Sequence, residues 1–430
     1  MLATLLFLGS CAPASAPTPP LASRADGPSV SPAAGLAAQV DVVALSLDRR
    51  WYTVPDQISS EPAIASVEFG ADASAGVPRL RLDPGGREMP LEPDALPRRW
   101  SARIDLAGMA PGVYRVGVTE RIGGAYTQVG AISAELRLSQ PEYAVWTLDF
   151  EGDAAGDPEL ANTAAIADTL KIPMTIMWNP RAWTTSQVSA ARAEAMTAWT
   201  KARAAIGDEV SLHLHMWTDF VRASGLVART APNWAGRSDG YDVPMTAFSE
   251  AESRTLIEFA LKLMAEHGMQ RPTTFRAGGQ FANAANLRAL AAWGFVADAS
   301  AVPAGGFGRL PLPWTLAADA QPYHPAAEDA NIAGSLQVLE APTIGGNTYA
   351  FTKATIRPMI DADLSYLAPP STVATQRRAI TIVSHPGTIV ASERAAIETL
   401  FAAFEPLRYD RGNGPLRFIT LAQLATAYSR

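Results

Sequence analysis

Residues 144–153 read AVWTLDFEGD, an apolar run that gives way to acidic side chains around a glycine. The run has the length and composition of one buried strand, and the glycine marks the turn after it. Asp149, Glu151 and Asp153 therefore stand where a strand ends. Acids in such a place are costly unless they are paired or bind a cation. The alternative is a solvated loop, because acidic residues often follow strands.

Strands and helices alternate from this point to the end of the chain. Helices are predicted from Asp157 onward, over 186–206 and over 249–267, where Ser249 and Glu252 have the spacing of a capping box. This alternation predicts an α/β fold, either a parallel (β/α) barrel or a doubly wound sheet. In both architectures functional side chains collect at the carboxyl ends of the strands. The strands are predicted over 144–150, 175–178, 210–213, 274–276, 295–297, 336–339, 379–384 and 416–419.

The residues before this region have a different pattern, with short alternating runs separated by turn residues. Runs of period two at this spacing predict a small all-β sandwich domain over 39–140, followed by the barrel domain over 141–430. No titratable cluster occurs in the β region, which favours a packing or spacer role. Trp51, Tyr52 and Trp100 are its only candidates for a carbohydrate-binding surface.

The first residues predict a targeting signal. Residues 1–11 read MLATLLFLGSC, and the cysteine stands where a bacterial lipoprotein signal places the residue that becomes lipidated. An ordinary secretory signal with an incidental cysteine is the alternative. Residues 12–38 are rich in Pro, Ala and Ser and predict a semi-rigid linker. We therefore expect an exported protein, periplasmic or at the cell surface, anchored to a bacterial membrane through Cys11.

The composition of the chain disfavours several classes of function. The chain has 430 residues, 48% of them hydrophobic, and a formal net charge of −7. The negative charge disfavours nucleic acid as a partner. No apolar run approaches the ~18 residues that span a bilayer. Cys11 is the only cysteine, so a metal ion must be bound by His, Asp or Glu.

A pair of histidines is the clearest chemical signal. Residues 210–217 read VSLHLHMW and contain two of the five histidines. Side chains two apart in a strand share a face, with Cα atoms roughly 6.5–7 Å apart. His213 and His215 can therefore converge on one cation. Two histidines and a carboxylate are a common catalytic zinc set.

Three further motifs stand at predicted strand ends. Residues 275–279 read FRAGG, 294–300 read GFVADAS, and 383–385 read VSH before a Pro-Gly stop. They place Arg276, Asp298 and His385 beside the acids and the histidine pair. The remaining histidines are interpreted differently: His267, in the last turn of a helix, as structural, and His324 as part of an exposed loop that could still border the substrate cleft.

The order of these motifs resembles the NodB-type polysaccharide deacetylases, carbohydrate esterase family four. The resemblance covers about residues 143–430 and implies a distorted (β/α) barrel with a divalent metal, most often zinc. It implies Asp149 as the general base and Glu151 as a metal ligand. The family's adjacent Asp-Asp is replaced here by Asp149-Phe150-Glu151, and its His pair four apart by His213 and His215. The chain therefore looks like a divergent branch with a His-x-His form.

These observations predict a metal-dependent hydrolase that removes acetyl groups from an N-acetylated or O-acetylated cell-envelope polysaccharide. The first alternative is a non-catalytic polysaccharide-binding lipoprotein with a degenerate barrel. The second is a C–N hydrolase of a non-sugar amide. The roles expected are metal binding by Glu151, His213 and His215, proton transfer by Asp149 and His385 with Arg276 holding the base, and substrate contacts by Asp153, Trp178, Trp217, Gly278 and Asp298.

Overall fold

The computed structural model of this chain describes residues 41–70, 78–122 and 124–429. The predicted signal, Cys11 and the linker over 12–38 lie outside the described residues, so lipid anchoring remains a prediction. In the described part of the chain, no helix combines the length and the apolar character needed to cross a membrane.

Two sheets precede the barrel, and their strands are almost all antiparallel; only β2 and β10 pair in parallel. The first sheet has the order β1-β3-β7-β6, and the second has the order β2-β10-β8-β4-β5 with β9 beside β8. Buried side chains of both sheets form one hydrophobic cluster. The strands are β1 (Val42–Leu47), β2 (Trp51–Thr53), β3 (Ala63–Phe69), β4 (Arg79–Asp83), β5 (Arg87–Pro90), β6 (Glu92–Pro93), β7 (Arg99–Ile104), β8 (Gly112–Ile122), β9 (Ala125–Gln128) and β10 (Ala134–Ser139).

The aromatic residues considered for a carbohydrate platform in this region do not form one. Trp51 and Tyr52 are 2% and 1% exposed, and the Tyr52 hydroxyl donates to Asp48 at 2.7 Å. Trp100 packs edge-on against Phe69, with ring centroids 6.3 Å apart. Trp51 and Tyr52 are therefore part of the packing of the two sheets, and neither offers an exposed ring face to a sugar.

The larger region contains a parallel sheet flanked by helices. The sheet has the order β18-β15-β14-β13-β12-β11-β19, with β20 also paired to β11. The elements are β11 (Glu142–Asp149), α1 (Asp157–Leu170), β12 (Thr175–Trp178), α2 (Ala190–Ala205), β13 (Glu209–Leu214), α3 (Thr218–Ala223), α4 (Glu250–Glu266), β14 (Thr274–Ala277), α5 (Ala284–Ala292), β15 (Ala297–Asp298), β16 (Gly306–Phe307), β17 (Leu310–Pro311), β18 (Leu339–Glu340), α6 (Arg357–Ser365), β19 (Arg378–Ser384), α7 (Ala391–Ala402), β20 (Leu416–Phe418) and α8 (Leu421–Ala427).

The chain after β18 turns this sheet into a distorted barrel. Thr348 N donates to Val383 O at 2.9 Å, and Val383 N donates to Gly346 O at 2.9 Å, which joins this segment to β19. A Cβ at Gly345 would lie 2.5 Å from the Ile382 side chain, so glycine permits this close approach. The predicted α/β fold with a distorted parallel barrel is therefore confirmed.

Several predicted boundaries are wrong by a few residues. The helix predicted over 186–206 begins at Ala190, because the Ser189 side chain accepts Arg192 N as its N-cap. The strand predicted over 295–297 is Ala297–Asp298, because Phe295 N donates to Leu290 O and so belongs to the end of α5. The strand predicted over 336–339 is Leu339–Glu340. The predicted capping box of Ser249 and Glu252 is confirmed.

The N-terminal sheets contact the barrel at the amino ends of its strands. The Arg417 guanidinium donates to Ser59 Oγ at 2.8 Å, and the Tyr409 hydroxyl donates to Glu61 at 3.0 Å. Tyr143, at the start of β11, donates to Asp56. Asp149 ends the same strand, about 20 Å further along at 3.3 Å per residue. The β region therefore lies toward the end of the barrel opposite the acidic turn.

Candidate active site

The polar residues predicted at the strand ends meet at one end of the barrel. Asp149 ends β11, His213 is in β13, Arg276 is in β14, and His385 follows β19. A cavity of about 540 Å³ opens there. Its lining includes Asp149, Phe150, Glu151, Asp153, His215, Trp217, Trp234, Arg237, Tyr241, Gln280, Phe307, Asn347, Tyr349 and His385.

Backbone carbonyls orient both imidazoles of the histidine pair. The His213 Nδ1 lies 2.9 Å from Arg276 O, and the His215 Nδ1 lies 2.8 Å from Tyr241 O. A carbonyl oxygen can only accept, so each Nδ1 carries a hydrogen. The His213 Nε2 is then left with a lone pair, whereas Glu151 raises the pKa of His215 despite its burial and so favours a proton on the His215 Nε2. Metal-binding histidines are usually oriented in this way. The two ring centroids are 5.0 Å apart.

Glu151 connects this pair to His385. One carboxylate oxygen, Oε2, lies 2.6 Å from the His215 Nε2, and the other, Oε1, lies 3.1 Å from the His385 Nε2. Burial alone raises the pKa of Glu151, but the neighbouring His215 and His385 outweigh it and hold the pKa well below its usual range. Glu151 is therefore ionised and faces two imidazoles.

The donor atoms of Glu151, His213 and His215 lie within 4.8 Å of one another. The His213 Nε2 is buried and has no hydrogen-bond partner, and burial lowers the pKa of His213 to about 4. A neutral imidazole with an unpartnered lone pair is a ready metal ligand. The set of two imidazoles and one carboxylate fits a divalent cation such as zinc.

Arg276 forms an ion pair with Asp149. The Arg276 Nη1 lies 2.8 Å from the Asp149 Oδ1, and the same guanidinium donates to Thr147 Oγ1 at 2.6 Å, Ala299 O at 2.8 Å and Thr343 Oγ1 at 3.0 Å. Arg276 is only 1% exposed. Because these bonds fix the guanidinium, the carboxylate of Asp149 has a fixed orientation at the cavity wall.

His385 occupies the opposite side of Glu151 from His215. Asp149, Glu151 and His385 also bring ligand atoms within 4.8 Å of one another. Burial lowers the pKa of His385, but the hydrogen bond and charge of Glu151 outweigh it and raise the pKa overall. The His385 imidazole is therefore protonated more readily than that of a free histidine.

The residues predicted to contact substrate fall into two groups. Asp153 and Trp217 line the cavity. Trp178 is fully buried and packs between Phe150 and Trp183 at 5.2 Å from each ring, so the expectation that it contacts substrate is wrong. Its position in β12 points the ring into the core between the sheet and the helices.

Asp298 and Gly278, like Trp178, do not line the cavity. Asp298 is fully buried and accepts the Ser300 hydroxyl at 2.8 Å, and burial raises the pKa of its carboxyl to about 6. A Cβ at Gly278 would lie 2.5 Å from the His215 Nδ1. Gly278 therefore makes room for a histidine ring, and its predicted contact with substrate is corrected.

The sequence patterns did not predict the aromatic residues that line the cavity. Trp234, Arg237 and Tyr241 come from the connection between α3 and α4, Phe307 ends the two-residue strand β16, and Tyr349 comes from the loop after β18. Loops lack the periodicity that marks strands and helices, so pattern reading passes over them. The only local signal is the run WAGRSDGYD over 234–242, in which aromatic, Gly and Asp residues concentrate.

Comparisons with known proteins give structural neighbours only. No family model matches the sequence, and no curated protein sequence matches it. A Mycobacterium smegmatis protein described as a polysaccharide deacetylase has 14% identity and a TM-score of 0.43, over 67% of this chain and 90% of that chain.

Two further structures are similar at the same level. A family 4 carbohydrate esterase from Streptomyces lividans has 13% identity and a TM-score of 0.33, over 65% of this chain and 91% of that chain. A peptidoglycan deacetylase from Bacillus subtilis has 12% identity and a TM-score of 0.32, over 66% of this chain and 90% of that chain. At such low values, the chemistry assigned to this chain depends on its own residues.

Proposed function

We propose that this chain is a metal-dependent hydrolase that removes acetyl groups from an N-acetylated or O-acetylated cell-envelope polysaccharide. One observation carries the proposal: Glu151, His213 and His215 bring three ligand atoms together beside a cavity that Asp149 and His385 also line. The three predicted metal ligands, the Asp149 carboxylate and the His385 imidazole thus lie together beside one cavity.

The ligand set determines what chemistry is available. When bound to these residues, a divalent cation would supply Lewis-acid chemistry, which polarises a carbonyl and lowers the pKa of water. Three protein ligands are typical of a catalytic zinc site, which keeps a position open, whereas structural sites have four.

Asp149 acts as the general base in this proposal. Its carboxylate lines the cavity, and the 2.8 Å ion pair with Arg276 keeps it oriented. It takes a proton from the water that attacks the acetyl carbonyl. A base held within hydrogen-bond reach of its proton contributes typically about 10²–10⁴-fold to the rate.

His385 acts as the general acid. It donates its proton to the leaving nitrogen of an amide, or to the leaving oxygen of an ester, as the bond to the acetyl carbon breaks. The Glu151 carboxylate, 3.1 Å away, favours the protonated imidazole before the reaction. Base and acid together add one water across the acyl bond and release acetate.

The cavity wall supports a carbohydrate substrate. Phe307 and Tyr349 line the cavity and are 43% and 57% exposed. Aromatic rings with an exposed face pack against the apolar faces of sugar rings, while polar groups at the rim bind hydroxyls. The predicted export of the chain supports an envelope polymer.

Acetate release tests the proposal directly. Purified protein is incubated with acetylated chitooligosaccharides, peptidoglycan and acetylated xylan, with chelator, and with chelator followed by added zinc. We expect release from at least one substrate, its loss with chelator and its recovery with zinc, and no release by Asp149→Asn. Zinc-loaded protein that releases no acetate from any of them would contradict the proposal.

The same experiment separates the alternatives. Zinc-loaded protein that binds the acetylated polymer but releases nothing would favour a non-catalytic binding protein. Hydrolysis of small non-sugar amides without release from the polymers would favour a different C–N hydrolase.

A further inference from the structure

The segment 233–242 is folded around a buried carboxylate. Asp242 is fully buried, and its Oδ2 accepts the backbone N–H groups of Ala235 and Arg237, each at 2.9 Å. Its carbonyl accepts Trp234 N at 3.1 Å. Because one side chain satisfies two backbone donors, this connection between α3 and α4 has a defined conformation rather than that of an open loop.

Close backbone contacts fasten this segment to the chain that follows the histidine strand. Thr218 N donates to Asp239 O at 2.7 Å. Gly240 has a φ of +81°, and a Cβ there would lie 2.5 Å from Met216 O. No side chain fits at this position, so glycine allows the segment to approach His215 closely.

This arrangement places Tyr241 against His215, one of the proposed metal ligands. Its ring lies flat on the His215 imidazole, with centroids 4.1 Å apart and an interplanar angle of 6°. Its carbonyl oxygen lies 2.8 Å from the His215 Nδ1. The same residue therefore fixes the tilt of the imidazole and turns its Nε2 toward Glu151.

We infer that Tyr241 is a positioning residue of the metal site, with its ring and its carbonyl oxygen holding the His215 imidazole. This inference rests on the proposed function, because it concerns the same ligands. Groups that orient metal ligands typically change metal affinity by about 10–100-fold when they are removed.

Two substitutions test the contribution of the ring. Tyr241→Leu removes the ring that lies on His215, while Tyr241→Phe keeps the ring and removes only the hydroxyl. The probe is Zn²⁺, titrated calorimetrically into full-length protein from which metal has been removed by chelator. We expect the zinc Kd to rise about 10–100-fold in Tyr241→Leu and to equal the wild-type value in Tyr241→Phe.

Tyr349→Leu is the matched control. Tyr349 also lines the cavity, and its ring lies edge-on to His385, with centroids 5.5 Å apart. It lies near an imidazole without belonging to the predicted ligand set, so its zinc Kd should equal that of the wild type. Thermal melting of the metal-free proteins shows whether each variant is folded.

A second measurement distinguishes positioning from simple packing. If the Tyr241 ring acts through metal affinity, acetate release by Tyr241→Leu should recover toward the wild-type rate as the zinc concentration is raised. A packing defect would not recover in this way. A folded Tyr241→Leu variant with the wild-type zinc Kd would overturn the inference. Wild-type protein that binds no zinc would instead overturn the proposed function.

Discussion

Arg276 holds the carboxylate of Asp149 through a fully buried ion pair, with the Nη1 2.8 Å from the Oδ1. The backbone carbonyl of the same arginine accepts the Nδ1–H of His213. One residue of β14 thus positions the proposed base through its side chain and a proposed metal ligand through its main chain. Base and ligand are therefore held in fixed relation, although they come from different strands.

Removing either histidine of the pair should remove the metal. His213→Ala and His215→Ala each delete one of three ligand atoms that lie within 4.8 Å of one another. We expect substoichiometric zinc in both variants by elemental analysis of the purified protein. His267→Ala is the control, since that ring stacks on Trp183 away from the ligand set. Full zinc content in His213→Ala or His215→Ala would show that the ligands are other residues.

Removing the base or the acid should preserve metal and abolish turnover. Asp149→Asn and His385→Ala should keep wild-type zinc content while the rate of acetate release falls about 10²–10⁴-fold. Elemental analysis and steady-state kinetics on the same preparations check both parts. If Asp149→Asn loses zinc, then Asp149 is a ligand, and the base must be sought at Glu151 or Asp153.

Adding one methyl group under His215 should weaken metal binding. In Gly278→Ala, the new Cβ would lie 2.5 Å from the His215 Nδ1, so the imidazole must move. We expect a higher zinc Kd in a calorimetric titration of the metal-free variant. At Gly305 the nearest atom to a new Cβ is 3.9 Å away, so Gly305→Ala should bind zinc as the wild type does. Equal zinc Kd values for the two variants would contradict this account of Gly278.

A buried carboxyl far from the cavity should make stability depend on pH. Burial raises the pKa of Asp363 to about 8, and both carboxyl oxygens lack hydrogen-bond partners. Below about pH 4 this group is protonated in the folded and unfolded chains alike. As pH rises toward 8 only the unfolded chain releases the proton, so stability falls, by up to about 4 kcal/mol at pH 7.

Asp363→Asn should remove that dependence. Asparagine resembles the protonated acid, so the variant should be more stable than the wild type at pH 7.5, and this difference should be much smaller at pH 4.5, where it falls to about 1 kcal/mol. Denaturant unfolding at the two pH values measures the difference. Asp361→Asn, at an exposed position paired with Arg357 on the same helix, is the control. A wild-type pH profile in Asp363→Asn would show that this carboxyl is not the cause.

The predicted lipid anchor is tested at Cys11. Several acyl chains anchor a lipoprotein firmly, whereas a single chain binds only marginally. We expect Cys11→Ser, expressed in a bacterium that processes lipoproteins, to move from the membrane fraction to the soluble fraction in detergent-free extracts. A variant that stays in the membrane fraction to the same extent would count against lipidation.

Features that depend on the local order of residues could be predicted from the sequence. The alternation of apolar runs and helical segments predicts an α/β fold, either a parallel barrel or a doubly wound sheet, because strand and helix periods extend over a few residues. The two-residue spacing of His213 and His215 similarly predicts two imidazoles on one face. The capping box at Ser249 follows from residues three apart.

Which side chains meet in the site depends on how the elements pack against one another. Glu151 lies beyond the end of β11, where no period fixes its direction, and packing alone brings it between His215 and His385. Tyr241 reaches His215 because a buried carboxylate folds a loop. The sequence did not distinguish Trp178 from the residues that line the cavity, yet its strand directs the ring into the core. Contacts between residues distant in the chain depend on the summed packing of many elements, which no local pattern encodes.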